Sequence, residues 1–207
     1  ITFRPKAQIL KWDFQGNLQA QISFAHPLGI LPRQMTFDNQ GNLHVVATQG
    51  QGATKFAIIS SLDPNQFVTS FSTNGWQIHN YGSFSSEVGN GIAFSPTDNT
   101  LVVCGSTAVG GSTDPCIFKI TLPSMELLSI SRLSLGSKPD ELFNLILHNN
   151  GIIAFGHTAS SPVLGNHIFG VRFTEQLQLQ SAVLMRDAFV PLNPQTIGNA
   201  VLEPAIH

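Results

Sequence analysis

Seven histidines, at positions 26, 44, 79, 148, 157, 167 and 207, are many for a chain with only ten Lys and Arg and twelve Asp and Glu. A histidine held beside a carboxylate is the commonest general base. The pairings that would suit a hydrolase or lyase join His26 or His79 to Asp140 or Asp187. His157 and His167 bracket one segment, but no Asp or Glu lies between them. Their ten-residue spacing matches no helical or knuckle-type pattern, and zinc needs at least three N, O or S ligands. No metal site and no cofactor are therefore expected. The motifs D-x-D-x-D-G, G-x-S-x-G, the P-loop and H-E-x-x-H are absent. Gly105–Ser112 is glycine-rich, but it sits between two strand-like runs with no helix N-terminus to hold a phosphate. It reads as a flexible loop. Asp140 and Glu141 are the only adjacent acids. Such neighbours can raise one pKa, and the plainer reading is two solvated charges.

Cys104 and Cys116 flank Gly105–Pro115. Counting inward from that segment sets Cys104 opposite about Lys119 and Cys116 opposite about Thr107. Disulfide geometry does not tolerate that misalignment, so two buried free thiols are expected.

Strand-like segments must position these groups. Ala7–Phe14, Phe56–Leu62, Cys116–Leu122 and Ile168–Phe173 are short β-type runs that start 49, 60 and 52 residues apart. Gln34–Ala47, Ile92–Cys104 and Phe143–Phe155 each read as strand, tight turn, strand. Their turns fall at Asn39–Asn42, Asp98-Asn99 and Asn149–Gly151, where residues that tolerate positive φ are needed. No 3.6-residue apolar period is sustained. The chain reads as all-β.

One unit runs Gly91–Phe94, Leu101–Gly105, Cys116–Leu122, Leu127–Leu133. Four-stranded repeats of about 50 to 60 residues are the pattern of β-propeller blades. The expected architecture is a single propeller domain over 1–207, with blade pieces near 1–30 joined to 198–207, then 31–90, 91–140 and 141–197. Either the terminal pieces form a composite fourth blade that closes the ring, or the chain is part of a larger propeller completed by another chain or segment.

The residues Phe56-Ala-Ile-Ile-Ser-Ser-Leu-Asp63, Thr69-Ser-Phe-Ser-Thr-Asn-Gly75 and Asn90-Gly-Ile-Ala-Phe-Ser-Pro-Thr-Asp-Asn-Thr-Leu-Val-Val-Cys-Gly105 resemble the delta-60 type of bacterial β-propeller repeat. The match covers 56–122. Ser72 stands where the family usually has Gly, and Asn99-Thr100 replaces its Gly-Lys. The resemblance implies a bacterial propeller and no particular reaction.

In such a fold the links from each outer strand to the next inner strand gather on one face around the channel. The longest, Ser72–Gly91, carries Trp76, His79, the only tyrosine Tyr81, Phe84 and Glu87. Planar side chains there could stack on a sugar or grip a peptide, although Trp76 and Ile78 also alternate as an ordinary outer strand would. The links Ala25–Arg33, Leu135–Asp140 and Met185–Gly198 add His26, Arg33, Lys138, Asp140, Arg186 and Asp187. Trp76, His79, Tyr81, Arg33 and Arg186 are the expected ligand-binding set.

Charged residues make up 11% of the chain, under half of the roughly 25% usual for soluble domains, and the net charge is −2. A nucleic-acid backbone needs a clustered positive field, which this composition lacks. No apolar run reaches the ~18 residues of a membrane-spanning helix. The low charge and amide richness point to a secreted or envelope protein. The leading expectation is a non-catalytic propeller that binds a protein or glycan through its link loops. The alternatives are a propeller-type hydrolase or lyase, and a structural module of a larger surface or secreted protein.

Overall fold

Short runs of Val, Ile and Phe, bounded every few residues by Gly, Asn, Asp or Pro, favour extended backbone over helix. The computed structural model describes residues 7–24, 29–49, 56–63, 66–67, 76–79, 86–109, 112–136, 139–159, 167–185, 190–191 and 198–203, and the described residues contain no helix. β1 (Ala7–Trp12) and β2 (Leu18–Phe24) form a two-stranded sheet. Sheet 1 runs β3 (Ile30–Phe37), β4 (Leu43–Gln49), β5 (Phe56–Asp63), with β6 (Gln66–Phe67) and β7 (Trp76–His79) both pairing with β5. Sheet 2 runs β8 (Ser86–Ser95), β9 (Thr100–Val109), β10 (Ser112–Thr121), β11 (Leu127–Ser134). Sheet 3 runs β12 (Asp140–His148), β13 (Gly151–Thr158), β14 (His167–Thr174), β15 (Leu179–Met185), β16 (Val190–Pro191). The chain is thus all-β, built as four antiparallel sheets that meander in chain order.

Residues 1–6, through which the composite closing blade was expected to join the two ends of the chain, lie outside the described residues. β17 (Gly198–Glu203) pairs with β11, from Ile130↔Glu203 to Ser134↔Gly198, and not with β1 or β2. The outer edge of β11 offers a row of unpaired N–H and C=O groups, which is what an extended segment needs.

The turns follow the residues that tolerate positive φ. Asn99 (φ 53°), Asn149 (φ 45°) and Asn150 (φ 55°) occupy the left-handed region, as expected. A second turn type recurs: Asp13, Asp38 and Thr174 each donate their N–H to the carbonyl four residues on, at Asn17, Asn42 and Gln178. Gly16, Gly41 and Leu177 supply the positive φ in the matching place.

The hairpin between β9 and β10 corrects one expectation. Val109 pairs with Ser112, so both strands run on through the segment read as a flexible loop. Cys104 therefore lies opposite Ile117, and Cys116 opposite Gly105. Inward counting placed them opposite Lys119 and Thr107 because it centred the turn one residue too far along the chain. With one residue of offset the thiols sit on opposite faces of sheet 2, Cys104 in the core shared with sheet 3 and Cys116 in the core shared with sheet 1. Both are free.

Three apolar layers hold the sheets face to face. Ile9 of β1 packs on Ile30, Leu43, Val45 and Ala47 of sheet 1. Val46 packs with Ile92, Leu101, Val103 and Phe118 of sheet 2. Val102, Cys104, Ile117 and Leu133 of sheet 2 pack with Leu142, Ile152, Phe169 and Phe173 of sheet 3.

The first strand of each large sheet carries a bulge at the same place: Arg33 in β3, Asn90 in β8 and Phe143 in β12. A bulge bends its strand and drives a carbonyl toward the neighbouring strand. Glycine receives it in two cases: a Cβ on Gly105 would stand 1.7 Å from the Val88 carbonyl oxygen, and one on Gly156 would stand 1.9 Å from that of Glu141. Gly156→Ala is expected to cost roughly 3 kcal/mol and to lower Tm by about 10 °C. Gly16→Ala, strained only by its φ of 85° with open space around it, should cost about 1 kcal/mol. Thermal melts of the two variants beside the parent measure this. A Gly156→Ala protein that melts with the parent would mean the bulge contact is absent.

Candidate functional site

Strand alternation decides where the scarce ionisable groups point. Glu87 and Asp140 open the first strands of sheets 2 and 3 in matching positions: Glu87 pairs with Thr107 and Asp140 with Thr158. Neither acid is exposed at all. Asp140 accepts a hydrogen bond from the Ala159 N–H at 2.9 Å, which ties the end of β13 to the start of β12. The acid read as a solvated charge is therefore a buried clasp. Asp114 lies across β9 from Glu87, because both pair with Thr107. Its carboxylate sits 3.7 Å from the Arg132 Nε. Burial raises the Asp114 pKa, Arg132 opposes this and the charge on Asp140 adds to it, with a net rise. Burial also pushes the Cys104 thiol up to about 12 and Cys116 well above its ordinary value. Neither thiol is a nucleophile at neutral pH.

The sequence-predicted residues are distributed as follows. Arg33 is the exposed bulge residue of β3. Trp76 and His79 belong to β7, where their backbones pair with Ile59 and Phe56. His26, Tyr81, Arg186 and Asp187, with Lys138 and Phe84, lie outside the described residues. Arg33 and Asp140 are not brought together: one faces solvent and the other is enclosed. His157 and His167 also part company, since His167 pairs with Thr158 and so points to the other side of sheet 3 from His157. Among the described residues no group of His, Cys, Asp or Glu is arranged to hold a metal ion, and no helix is long and apolar enough to cross a membrane.

One His–carboxylate pair does come within hydrogen-bond distance, and it was not foreseen. His44 Nε2 lies 3.1 Å from Asp38 Oδ2, at the β3–β4 turn. Asp38 also accepts from the Gln40 and Asn42 N–H groups and from Asn42 Nδ2. The β1–β2 turn repeats the arrangement with Asp13, which accepts from Gln15 and Asn17 N–H, Asn17 Nδ2 and Gln19 Nε2. The shared signature Asp-x-Gln-Gly-Asn-Leu-(Gln or His) is visible at 13–19 and 38–44. Because Gln19 fills the place of His44, the imidazole serves the turn as a hydrogen-bond donor and not as a base.

A cleft of about 190 Å³ lies between sheets 2 and 3 at the end of the β8–β9 and β12–β13 turns. Lys119 forms part of its wall, beside Thr97, His148, Asn149, Asn150 and Glu175. The ammonium is paired with Asp98 and donates to the Glu175 carbonyl at 2.9 Å. Burial works against ionisation of Asp98, but bonds from Lys119, Ser95 and Thr100 outweigh it and lower its pKa. With the Lys119 charge so matched, the cleft offers amides and hydroxyls beside His148 and Glu175. A lysine interrupting Ile117-Phe118-Lys119-Ile120 was the sequence signal for it.

In comparisons with known proteins, the chain matches no family model and no curated protein.

The Asp38–His44 brace makes a pH prediction. Burial depresses the His44 pKa, partly offset by Asp38. Burial also opposes ionisation of Asp38, yet its hydrogen bonds from Asn42, His44 and Gln40 leave its pKa lowered. For both groups the unfolded state takes up the proton first, so stability falls as pH falls. The histidine contribution is complete above about 6.5 and is lost below it; the aspartate contribution is lost as pH drops through its depressed value, below 3.8. His44→Gln should fold like the parent and show a flatter urea midpoint between about pH 7 and 5. An equally steep fall in the variant would remove His44 from this role.

Proposed function

We propose that this chain is a non-catalytic, propeller-type scaffold of the bacterial delta-60 kind that binds a protein partner. Its architecture is supported by the way the first strands of the three large sheets pack beside one another. Gln34 of β3 donates from Nε2 to Asn144 Oδ1 of β12 at 3.0 Å and accepts the Ile92 N–H of β8 at 2.9 Å. Asn90 Nδ2 of β8 donates to the Leu142 carbonyl at 2.9 Å. Sheets stacked face to face with their first strands side by side are what a propeller reading requires of successive blades, and this packing supports the proposal.

One observation carries the choice of binder over enzyme. Three described acid–base pairs, Asp38 with His44, Asp98 with Lys119 and Asp114 with Arg132, serve the fold, and the part-exposed Glu141 and His157 stand 3.9 Å apart, beyond hydrogen-bond distance. What the surface displays in their place is large apolar side chains, among them Trp12, Phe14, Met35 and Phe37. Exposed apolar surface of this kind is what macromolecular interfaces use. Trp76 and His79 of β7, with Tyr81 beyond it, Arg33 of β3 and Arg186, are the proposed contact residues, since aromatic side chains give large contact area at low entropy cost.

A peptide and glycan array probed with the parent and with a Trp76→Ala, Tyr81→Ala double variant tests this reading. Peptide hits weakened at least about tenfold in the variant are expected. Hits confined to glycans would replace the protein partner with a carbohydrate one. Hits of unchanged strength would remove this segment from the contact region.

A further inference from the structure

The cleft between sheets 2 and 3 has an aliphatic floor and a polar rim. Val102 of sheet 2 and Ile152 of sheet 3 are buried in the core between those sheets, Leu147 packs against it, and all three line the cleft. The rim is drawn from three hairpin turns: Thr97 from β8–β9, Asn149 and Asn150 from β12–β13, and Glu175 from β14–β15. Asn149 and Asn150 stand at φ of 45° and 55°. Glycine holds such a backbone at no steric cost, so what the two asparagines add to the turn is a pair of amides. Among the described residues, the exposed side chains of Thr97, Asn149 and Asn150 take no part in a hydrogen bond.

Lys119 is enclosed in the wall of this cleft, its side chain only 8% exposed. An ammonium carries three N–H donors. One meets the Asp98 carboxylate and one the Glu175 carbonyl at 2.9 Å. The third remains for an acceptor, and a buried donor without one is costly.

We propose that this cleft binds a neutral polyol of about the size of one pyranose ring, free or at the end of a glycan. The size follows from its volume, since about 190 Å³ is below the ~300 Å³ at which pockets for drug-sized ligands begin. Neutrality follows from the charges around it. Lys119 and Arg172, whose Nε stands 3.8 Å from the place of a Cβ on Gly151, are matched in number by Asp98 and Glu175. A bare anion or cation therefore finds no excess of opposite charge. Adjacent hydroxyls suit the rim because each both donates and accepts. One accepts the third Lys119 N–H while its neighbours meet the Asn149 and Asn150 amides, the Thr97 hydroxyl and the Glu175 carboxylate. The C–H face of the ring then covers Val102, Leu147 and Ile152. A purely apolar ligand leaves the rim and the ammonium without partners. This site goes beyond the protein contact proposed above and uses none of its residues.

Amide chemical shifts of the intact chain, titrated with methyl glucoside, methyl galactoside, methyl mannoside and myo-inositol, test the proposal. Saturable binding of at least one of them with a Kd of order 1 mM is expected; a glycoside points to the end of a glycan, and inositol to a free polyol. Asn149→Gly combined with Asn150→Gly keeps a backbone suited to positive φ and should weaken binding at least about tenfold, with unchanged circular dichroism and melting. Lys119→Met should abolish binding in a protein that still folds. Trp76→Ala with Tyr81→Ala should leave it unchanged, so that failure here and failure of the protein-contact reading are told apart. No saturation by roughly 50 mM, equal binding of cyclohexanol or inorganic phosphate, or an affinity unmoved by the asparagine substitutions would each overturn the proposal.

Discussion

The close approach of the three first strands is the constraint on which the rest of this structure depends. β3, β8 and β12 each bulge at one residue, and the bulge lets neighbouring strands come near enough for side chains to bond across sheets. A Cβ on Gly91 would stand 3.0 Å from both the Asn144 Cα and the Gln34 Oε1, so at this point only glycine fits between the strands. Gln34 then satisfies a backbone N–H on one neighbour and a side-chain carbonyl on the other. A half-buried amide gains from finding partners for both its ends, and here both are matched. The apolar layers between the sheets follow from that geometry, since sheets held together at their first strands are set to stack face to face.

The low charge of the chain takes on a physical meaning in this frame. Several of the described charges are enclosed and tie elements together. Lys119 reaches from sheet 2 to the Glu175 carbonyl of sheet 3, Asp140 closes the end of β13, and Asp38 organises a turn through four donors. Buried charges are costly unless paired and bonded, which explains why so few are present and why they are tied down. Surface left without charge is covered by amides, hydroxyls and exposed apolar residues, a composition suited to association.

Much of the fold was legible in the sequence because it rests on local chemistry. Asn99 and Asn149-Asn150 mark tight turns through their tolerance of positive φ, and the β-branched runs between them form strands whatever surrounds them. The register of the β9–β10 hairpin was not legible, since it depends on where pairing stops, and small residues such as Ser106 and Ala108 pair as readily as they form a loop. The cysteines were correctly read as free, yet for the wrong geometry. The place of β17 was also hidden, because an edge strand has several edges open to it and apolar pattern alone does not choose. The candidate site was legible only in fragments. Asp140 stood out as an acid beside another acid, but its burial follows from pairing with Thr158, and Gln34 gave no local hint of partners on β8 and β12. Both are decided by contacts between residues far apart in the chain.

The most direct test of the account is a double-mutant cycle between Gln34 and Asn144, 110 residues apart in sequence. Urea unfolding of Gln34→Ala, Asn144→Ala and the double variant should give a coupling of about 1 kcal/mol or more between the two sites. Effects that add within about 0.3 kcal/mol would show that β3 and β12 do not meet, and the stacking of the sheets around their first strands would fall with them.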